Sequence, residues 1–245
     1  MKIAILSDIH SNLEAFEAVL LKLEKIKVKK IWHLGDIVGY GPNPNECVKL
    51  IKKEKIISLA GNHDLAVIGK ITTDYFNPYA ALAVKLNAQE ISEENKKFLE
   101  NLSLTFKPEK NIILAHGSIR DPIWEYLLEI DQAEENFSLF FEKVCFVGHS
   151  HLPMIFEKRE DKIYQFRFPP DKAFLKFEKN SRYIINPGSV GQPRDYNPKA
   201  SFVIFDPENE VLEYQRIDYP YFKTQQKMKE KGFPSFLIER LSFGY

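Results

Sequence analysis

The stretch Ile3-Ala4-Ile5-Leu6-Ser7-Asp8-Ile9-His10 decides the fold, because it joins a short apolar run directly to two side chains that bind metals. A short apolar run of this kind predicts a buried strand. The same unit recurs where apolar runs end at Gly35-Asp36, Gly61-Asn62-His63-Asp64, Ala115-His116-Gly117 and Gly148-His149-Ser150-His151. Repeated oxygen and imidazole groups behind strands are hard to attribute to packing, so they indicate a metal site.

Short strands alternate with amphipathic helices before Pro153, which is typical of an α/β protein. The first helix begins after Ser11 or Asn12, either of which can serve as its N-cap. In open α/β sheets the functional side chains gather at the carboxyl ends of the strands. We therefore expect the polar clusters to converge in space. The strands predicted before them are Lys2–Leu6, Lys30–Leu34, Ile56–Ala60, Ile112–Ala115 and Val144–Val147.

The remaining segments predict helices and a second group of strands. A helical excursion without a strand covers residues 74–102 and divides near Ile91-Ser92. Another helix is expected over Asp131–Glu142, and a helical tail begins at residue 219. We expect the strands after Pro153 to form a second sheet packed on the first, in a single domain spanning residues 1–245. These strands are Met154–Glu157, Ile163–Phe168, Ala173–Phe177, Tyr183–Asn186, Ser201–Phe205 and Val211–Ile217.

Composition restricts the partners of the protein. The 34 basic and 34 acidic residues cancel, so no long-range field attracts nucleic acid or an anionic membrane. No apolar stretch is long enough to cross a bilayer. Two cysteines are too few for a disulfide framework, which favours a reducing cytoplasm. We expect a cytoplasmic protein with a small-molecule substrate.

The ligand types point to transition metals and to phosphate chemistry. They mix oxygen and imidazole without thiolate, which suits manganese, iron, zinc, cobalt or nickel better than calcium. One tetrahedral ion does not need so many ligands, whereas two ions that share a carboxylate would use all of them. Two divalent cations with two aspartates retain positive charge, which attracts a phosphate. The candidate ligands are Asp8, His10, Asp36, Asn62, His116, His149 and His151.

In order and type, these clusters resemble the signature of the calcineurin-like metallophosphoesterases. The turn Asn186-Pro187-Gly188-Ser189 resembles one found in the small bacterial and archaeal phosphodiesterase branch of that family, the YfcE-like branch. The resemblance implies a four-layer α/β/β/α sandwich of two mixed sheets flanked by helices. It also implies a hydrolase that acts on phosphoesters, in which a hydroxide bridging two metal ions attacks phosphorus in line.

Carried over by position, the resemblance assigns a role to each cluster. Asp36 would bridge the two metal ions, for which manganese is the first choice. His63 would donate a proton to the leaving-group oxygen, with Asp64 holding its ring. One metal would be held by Asp8, His10, Asp36 and His151, and the other by Asp36, Asn62, His116 and His149.

The segment after Asp36 departs from the protein phosphatases of the family. Those enzymes supply an arginine to the phosphate there, whereas this chain continues Ile37-Val38-Gly39-Tyr40-Gly41. A phosphodiesterase or nucleotide hydrolase therefore fits better than a protein phosphatase. A dinucleoside polyphosphate hydrolase of the diadenosine tetraphosphate type, a nuclease and a non-catalytic protein-binding scaffold remain as alternatives.

Several further residues are candidates for contact with substrate, because each follows a cluster or lies near the Asn186 turn. His33 is the one histidine outside the clusters, and we expect it in the core, as we do Trp124. The candidate substrate contacts are Asn12, Tyr40, Asn43, Arg120 and Arg194.

Overall fold

The structure, a computed structural model, describes residues 1–245. Its helices are α1 (Leu13–Lys25), α2 (Pro44–Lys53), α3 (Asn62–Val67), α4 (Pro78–Glu90), α5 (Glu93–Glu100), α6 (Ile130–Phe137), α7 (Tyr221–Glu230) and α8 (Ser235–Phe243). Its strands are β1 (Ile3–Leu6), β2 (Lys30–His33), β3 (Ile57–Ser58), β4 (Thr105–Glu109), β5 (Ile112–Ala115), β6 (Val144–Phe146), β7 (Met154–Arg159), β8 (Lys162–Arg167), β9 (Ala173–Lys176), β10 (Ser181–Asn186), β11 (Ala200–Asp206) and β12 (Val211–Ile217).

The strands form two six-stranded sheets, with the orders β3-β2-β1-β11-β12-β9 and β4-β5-β6-β10-β7-β8. Both sheets are mixed. In the first, β1, β2 and β3 run parallel and β11 is antiparallel to β1. In the second, β5, β6 and β10 run parallel and β7 is antiparallel to β10. The predicted α/β fold with two mixed sheets is confirmed.

The expectation that the strands after Pro153 make a sheet of their own is wrong. Three of them complete the first sheet and three complete the second, where β10 pairs with both β6 and β7. β1 is completely buried, so the backbone groups on its free edge need hydrogen-bond partners, and β11 supplies them. The sequence could not show this division, because strand partners far apart in the chain leave no local signal.

Two local expectations also need correction. Strand β4 was not expected, since it is polar and contains Pro108, and such a strand is tolerated only at a sheet edge. Helix α6 begins at Ile130 and ends at Phe137 instead of covering Asp131–Glu142, and its capping box joins Glu129 to Gln132. Helices α4 and α5 lie within residues 74–102, and Ser92 accepts a hydrogen bond from the Asn95 amide at the start of α5.

Alternation along the strands builds the layers. Ile3 and Ile5 of β1 pack between the sheets with Phe146 of β6. Ala4 and Leu6, on the opposite face of β1, pack against α1 and α2. Helix α6 covers the outer face of the second sheet. Helices therefore flank two stacked sheets. None of these helices is long and apolar enough to cross a membrane.

Candidate metal centre

The clusters sit on sharply bent loops that follow strands of both sheets. Five of the predicted ligands have positive φ angles between 50° and 63°, a conformation that costs non-glycine residues about 1 kcal/mol or more each. Such strain persists only where the surrounding structure holds it, and it is concentrated at functional sites. The five are Asp8, His10, Asp36, His149 and His151.

Glycine is required where two of these loops touch. A Cβ atom on Gly61 would lie 2.1 Å from Oδ1 of Asp36, so any side chain there would displace this carboxylate. A Cβ atom on Gly35, which has a φ of 107°, would lie 2.8 Å from Nδ1 of His116. The glycines beside the ligands thus allow the loops to approach one another.

All the predicted ligands come together, and Asp36 lies close to histidines of both halves of the cluster. Its Oδ2 atom lies 3.5 Å from Nε2 of His10 and 3.4 Å from Nε2 of His116. On one side, Oδ1 of Asp8 lies 3.3 Å from Nε2 of His151. On the other side, Nε2 of His116 lies 3.2 Å from Oδ1 of Asn62. His149 completes a group with Asp36 and His116.

Backbone carbonyls fix the orientation of three imidazoles. Nδ1 of His10 donates to the carbonyl of Val38 over 3.1 Å, and Nδ1 of His116 donates to that of Leu34 over 3.0 Å. Nδ1 of His151 donates in the same way to Gln192 over 2.6 Å. A proton fixed on Nδ1 leaves Nε2 facing the centre, which is the usual arrangement of histidine ligands.

His149 is held differently. Both of its ring nitrogens are buried and lack a hydrogen-bond partner. Its ring stacks on that of Tyr126, with centroids 4.2 Å apart and planes at 8°. Oδ1 of Asp8 and Oδ2 of Asp36 are also buried without a partner. Buried polar atoms without partners are rare, and bound divalent cations would satisfy both carboxylate oxygens and one ring nitrogen of His149.

The protonation states of these candidate ligands also favour the binding of cations. Burial opposes ionisation of Asp8 and Asp36, but His151 and His116 outweigh it and lower the pKa of both carboxyls. Burial lowers the pKa of His149 to about 3, so its ring is neutral at pH 7. For His116 burial acts in the same direction, yet the adjacent Asp36 raises its pKa to about 9. Anionic carboxylates and mostly neutral imidazoles are a donor set that suits divalent transition metals.

His63 lies beside the ligands but is held by packing. Its backbone amide donates to Oδ1 of Asp36 over 2.9 Å. Its ring packs against Tyr40, His10 and Phe76, with centroids 4.4, 4.8 and 4.9 Å away, and its Nδ1 has no partner. Burial lowers the pKa of His63 to about 4.

The expected hydrogen bond from the ring of His63 to the Asp64 carboxylate is not formed. The Asp64 carboxylate instead accepts the backbone amides of Asp36, Val38 and Gly61 at 2.9–3.0 Å. Asp64 is in the first turn of α3, where its carboxylate reaches backbone amides of the adjoining loops. Asp64 therefore acts as a brace, meaning that its hydrogen bonds hold together the loops that carry Asp36 and Asn62.

A cavity of about 330 Å³ opens over the ligands, and only two of the expected substrate contacts line it. Tyr40 and Arg194 do so, and Arg194 is the only arginine or lysine in the wall. Nη2 of Arg194 donates to the hydroxyl of Tyr40 over 3.3 Å and to Oε1 of Gln192 over 3.1 Å. The half-buried Arg194 therefore shares the cavity wall with the candidate ligands Asp36 and His149.

Asn12, Asn43 and Arg120 do not line this cavity, contrary to expectation. Asn12 caps α1 and donates to the Gly191 carbonyl over 2.8 Å. Asn43 precedes α2 and accepts a bond from Lys227. Arg120 forms ion pairs with two glutamates. All three residues have polar partners within the protein. Their positions after the clusters in sequence could not show this.

The cavity wall also contains residues that sequence analysis missed or misplaced. Trp124 was expected in the core but lies half-buried at the rim, whereas His33 is buried and bonded to Ser58, as expected. The pair Trp124 and Tyr126 in the loop after His116 was a possible signal, because aromatic residues in polar loops commonly contact ligands. The missed residues are Tyr75, Phe76, Asn77, Ala80 and Tyr126.

Comparisons with known proteins agree with this geometry. Residues 1–210 match the family model of the calcineurin-like phosphoesterase superfamily domain. An uncharacterised protein of Methanocaldococcus jannaschii is 43% identical over 246 residues, which cover 99% of this chain and 98% of the relative. A metallophosphoesterase from Sphaerobacter thermophilus has a crystal structure that superposes with a TM-score of 0.88 at 42% identity, covering 100% of this chain and 99% of that one.

A third relative matches only part of the chain. The symmetrical bis(5'-nucleosyl)-tetraphosphatase of Buchnera aphidicola is 29% identical over 152 residues, or 57% of this chain and 55% of that protein. The family model, by contrast, extends through most of the chain and includes every predicted ligand. With this match, the chain belongs to the calcineurin-like phosphoesterase superfamily and is a hydrolase that acts on phosphoesters in a metal-dependent family.

Proposed function

We propose that this protein hydrolyses a small phosphodiester or a nucleotide at a centre for two divalent metal ions. The observation that carries the proposal is the position of Asp36, whose Oδ2 atom has no protein partner and lies between His10 and His116. A single carboxylate oxygen flanked by two sets of ligands is the arrangement that a pair of bridged ions requires.

Each set would hold one ion, with Asp36 common to both. Cations bound there supply Lewis-acid activation of a water molecule and neutralise phosphate charge. Mixed oxygen and imidazole ligands make manganese our first choice, with iron, zinc, nickel and cobalt as alternatives. The division between the two ions follows the family resemblance, supported by the proximity of Asp8 to His10 and His151 and of Asp36 to His116 and His149. The first set is Asp8, His10, Asp36 and His151, and the second is Asp36, Asn62, His116 and His149.

Two further side chains would act directly on the phosphate. His63 lines the cavity and would donate a proton to the leaving-group oxygen, which requires the negative charge of a bound phosphate to raise the pKa of its ring above the value of about 4 set by burial. Arg194 would bind a non-bridging phosphate oxygen through its guanidinium, whose Nε has no protein partner. It would thereby replace the arginine that the segment after Asp36 lacks.

The size of the cavity favours a small substrate over a phosphoprotein. Its volume of about 330 Å³ is at the lower end of the range for small-molecule sites. Hydrolysis of a dinucleoside polyphosphate is a second candidate, favoured by the partial match to the Buchnera enzyme. A non-catalytic scaffold is less compatible, because the predicted ligands and His63 are all present and converge.

The test is a hydrolysis assay with chelator-treated protein that is then supplied with Mn²⁺. Bis-p-nitrophenyl phosphate, diadenosine tetraphosphate and a phosphopeptide would be compared as substrates. We expect turnover of the diester that depends on the metal and is lost in Asp36→Asn but kept in Asp171→Asn, which alters an exposed carboxylate of the same type. Absence of metal-dependent turnover on every substrate would refute the proposal.

A further inference from the structure

Two loops bring large aromatic side chains to the mouth of the cavity. The loop before α4 contributes Tyr75 and Phe76, and the loop after β5 contributes Trp124 and Tyr126. We call these four residues the aromatic rim. The ring of Trp124 touches both residues of the other loop, with centroid distances of 5.7 Å to Tyr75 and 5.3 Å to Phe76.

Two rings of the rim pack on histidines of the site, Phe76 on His63 and Tyr126 on His149. Phe76 and Trp124 are half-buried, whereas Tyr126 is 43% exposed and Tyr75 is 83% exposed. A ring as exposed as that of Tyr75 contributes little to the core, so its position beside a polar cavity needs another explanation. A flat ligand at the mouth would cover the exposed faces of Tyr75 and Trp124.

The second loop is held rigidly. Glu125, between the two aromatic residues of this loop, is buried and accepts hydrogen bonds from Ser118, Arg120 and Asn136. Oδ1 of Asp121 accepts the backbone amides of Ile123 and Trp124, each over 3.0 Å. The backbone that carries Trp124 and Tyr126 is therefore held in place before a ligand arrives, which reduces the entropic cost of binding.

The rim also offers polar groups at its edge. Asn77 lines the cavity, and its Oδ1 accepts the Ala80 amide to cap α4. Its Nδ2 group makes no hydrogen bond within the protein and is free to donate. A nucleobase combines a flat face for stacking with hydrogen-bonding atoms along its edge, and this combination matches the rim better than a plain aryl group does.

We propose that the aromatic rim binds the base of a nucleotide whose phosphate lies at the metal ligands, so that the substrate is a nucleotide phosphoester. This inference rests on the proposed function and names its substrate class. The cavity volume of about 330 Å³ accommodates one nucleotide unit, and the second group of a diester or polyphosphate then extends into solvent.

Tryptophan fluorescence provides a direct test. The chain contains two tryptophans, of which Trp32 is completely buried between the sheets, so a ligand in the cavity can alter only Trp124. Zn²⁺-loaded protein would be titrated with adenosine 5'-monophosphate, ribose 5-phosphate and phenyl phosphate, excited at wavelengths that adenine does not absorb. We expect a fluorescence change with adenosine monophosphate at much lower concentration than with the other two, and no change in Trp124→Phe.

Affinity separates stacking from phosphate binding. Stacking of a base on an aromatic side chain is worth a factor of roughly 5 to 150 in affinity. Tyr75→Ala should weaken binding of adenosine monophosphate within this range and leave ribose 5-phosphate unchanged. Tyr164→Ala is the control, because it removes a partly exposed tyrosine from β8, outside the cavity wall.

Equal affinity for adenosine monophosphate and ribose 5-phosphate would overturn the inference, as would phenyl phosphate binding as tightly as the nucleotide. If metal-dependent hydrolysis were present in either case, the proposed phosphoesterase function would stand without the nucleotide assignment. If the nucleotide bound through the rim but no phosphoester were hydrolysed, the proposed function would fail and the binding inference would stand.

Discussion

Nε2 of His10 and Nε2 of His151 face each other across 3.0 Å, while both Nδ1 atoms donate to backbone carbonyls. Neutral rings with the proton on Nδ1 have no proton left on Nε2, so two lone pairs meet beside the Asp8 carboxylate. This contact is repulsive unless a cation lies between the nitrogens. A metal ion bound between His10 and His151 would therefore lower the energy of the folded state.

Metal binding should raise thermal stability strongly. An ion present at 100 times its dissociation constant adds about 2.7 kcal/mol to the free energy of unfolding, and in a protein of this size each kcal/mol raises Tm by roughly 2–4 °C. Calorimetry of chelator-treated protein with and without Mn²⁺ would measure the difference. His151→Ala should reduce the metal-dependent increase. His33→Asn should lower Tm but keep the increase, because His33 is buried outside the ligand groups.

Metal binding should also release a proton from His116. Its pKa is raised to about 9, and its two nitrogens face oxygen atoms of Leu34, Asn62 and Asp36. The raised pKa stabilises the metal-free fold below the ordinary histidine pKa of about 6.5, and this contribution is lost as the pH rises through 9. Metal affinity should increase over the same interval. Isothermal titration calorimetry in buffers of different ionisation enthalpy should find about one proton released per protein at neutral pH. In His116→Gln this proton release should be absent.

His63→Ala should remove activity without unfolding the protein. The ring has no hydrogen-bonding partner on Nδ1, so the folded state loses packing against Tyr40, His10 and Phe76 but no hydrogen bond from that atom. Loss of a proton donor lowers kcat by a factor of roughly 100 to 10,000. A diester with a good leaving group, such as p-nitrophenolate, should be affected less than an alkyl ester. Equal losses for both substrates would contradict the assignment of His63 as the donor.

Asp64→Asn should act on stability, in contrast to His63→Ala. Its carboxylate satisfies three buried backbone amides, and an amide group in its place would turn a donor toward at least one of them. Each unsatisfied buried donor costs about 1–3 kcal/mol. Chemical denaturation should detect this loss, whereas Asp161→Asn in the exposed β7–β8 turn should have no effect. A stability equal to that of the unaltered protein would show that Asp64 is no brace.

Arg194→Met should raise KM for a phosphodiester and lower Tm only slightly. Its guanidinium is the only positively charged side chain of arginine or lysine in the cavity wall, so its loss removes a charge-assisted contact to phosphate worth about 1.5–3 kcal/mol. Steady-state kinetics of Arg194→Met would measure the effect. Arg159→Ala is the control, because Arg159 is half exposed on β7 and lies outside the cavity wall. A similar KM for both variants would exclude Arg194 from substrate binding.

Local sequence predicted the ligand atoms but not all of their supports. The clusters after β1, β2, β5 and β6 were recognisable because each combines a buried strand with metal-ligand side chains in a few consecutive residues. The braces were not recognisable. Asp64 stands beside His63 in sequence, yet its carboxylate bonds to backbone amides of the β2 and β3 loops. Which neighbour a side chain turns toward depends on loops that sequence proximity does not describe.

The sequence by itself determined the chemistry of the centre, because ligand type and the position of each ligand after a strand are local properties. Tertiary structure alone decided that the ligands come from two sheets, that β10 and β11 complete different sheets, and that Arg194 and the aromatic rim share one cavity. Tyr75 and Trp124 are separated by 48 intervening residues, and only the packing of their two loops brings their rings within 5.7 Å. Contacts between distant segments depend on how whole layers pack, and no short stretch of sequence contains that information.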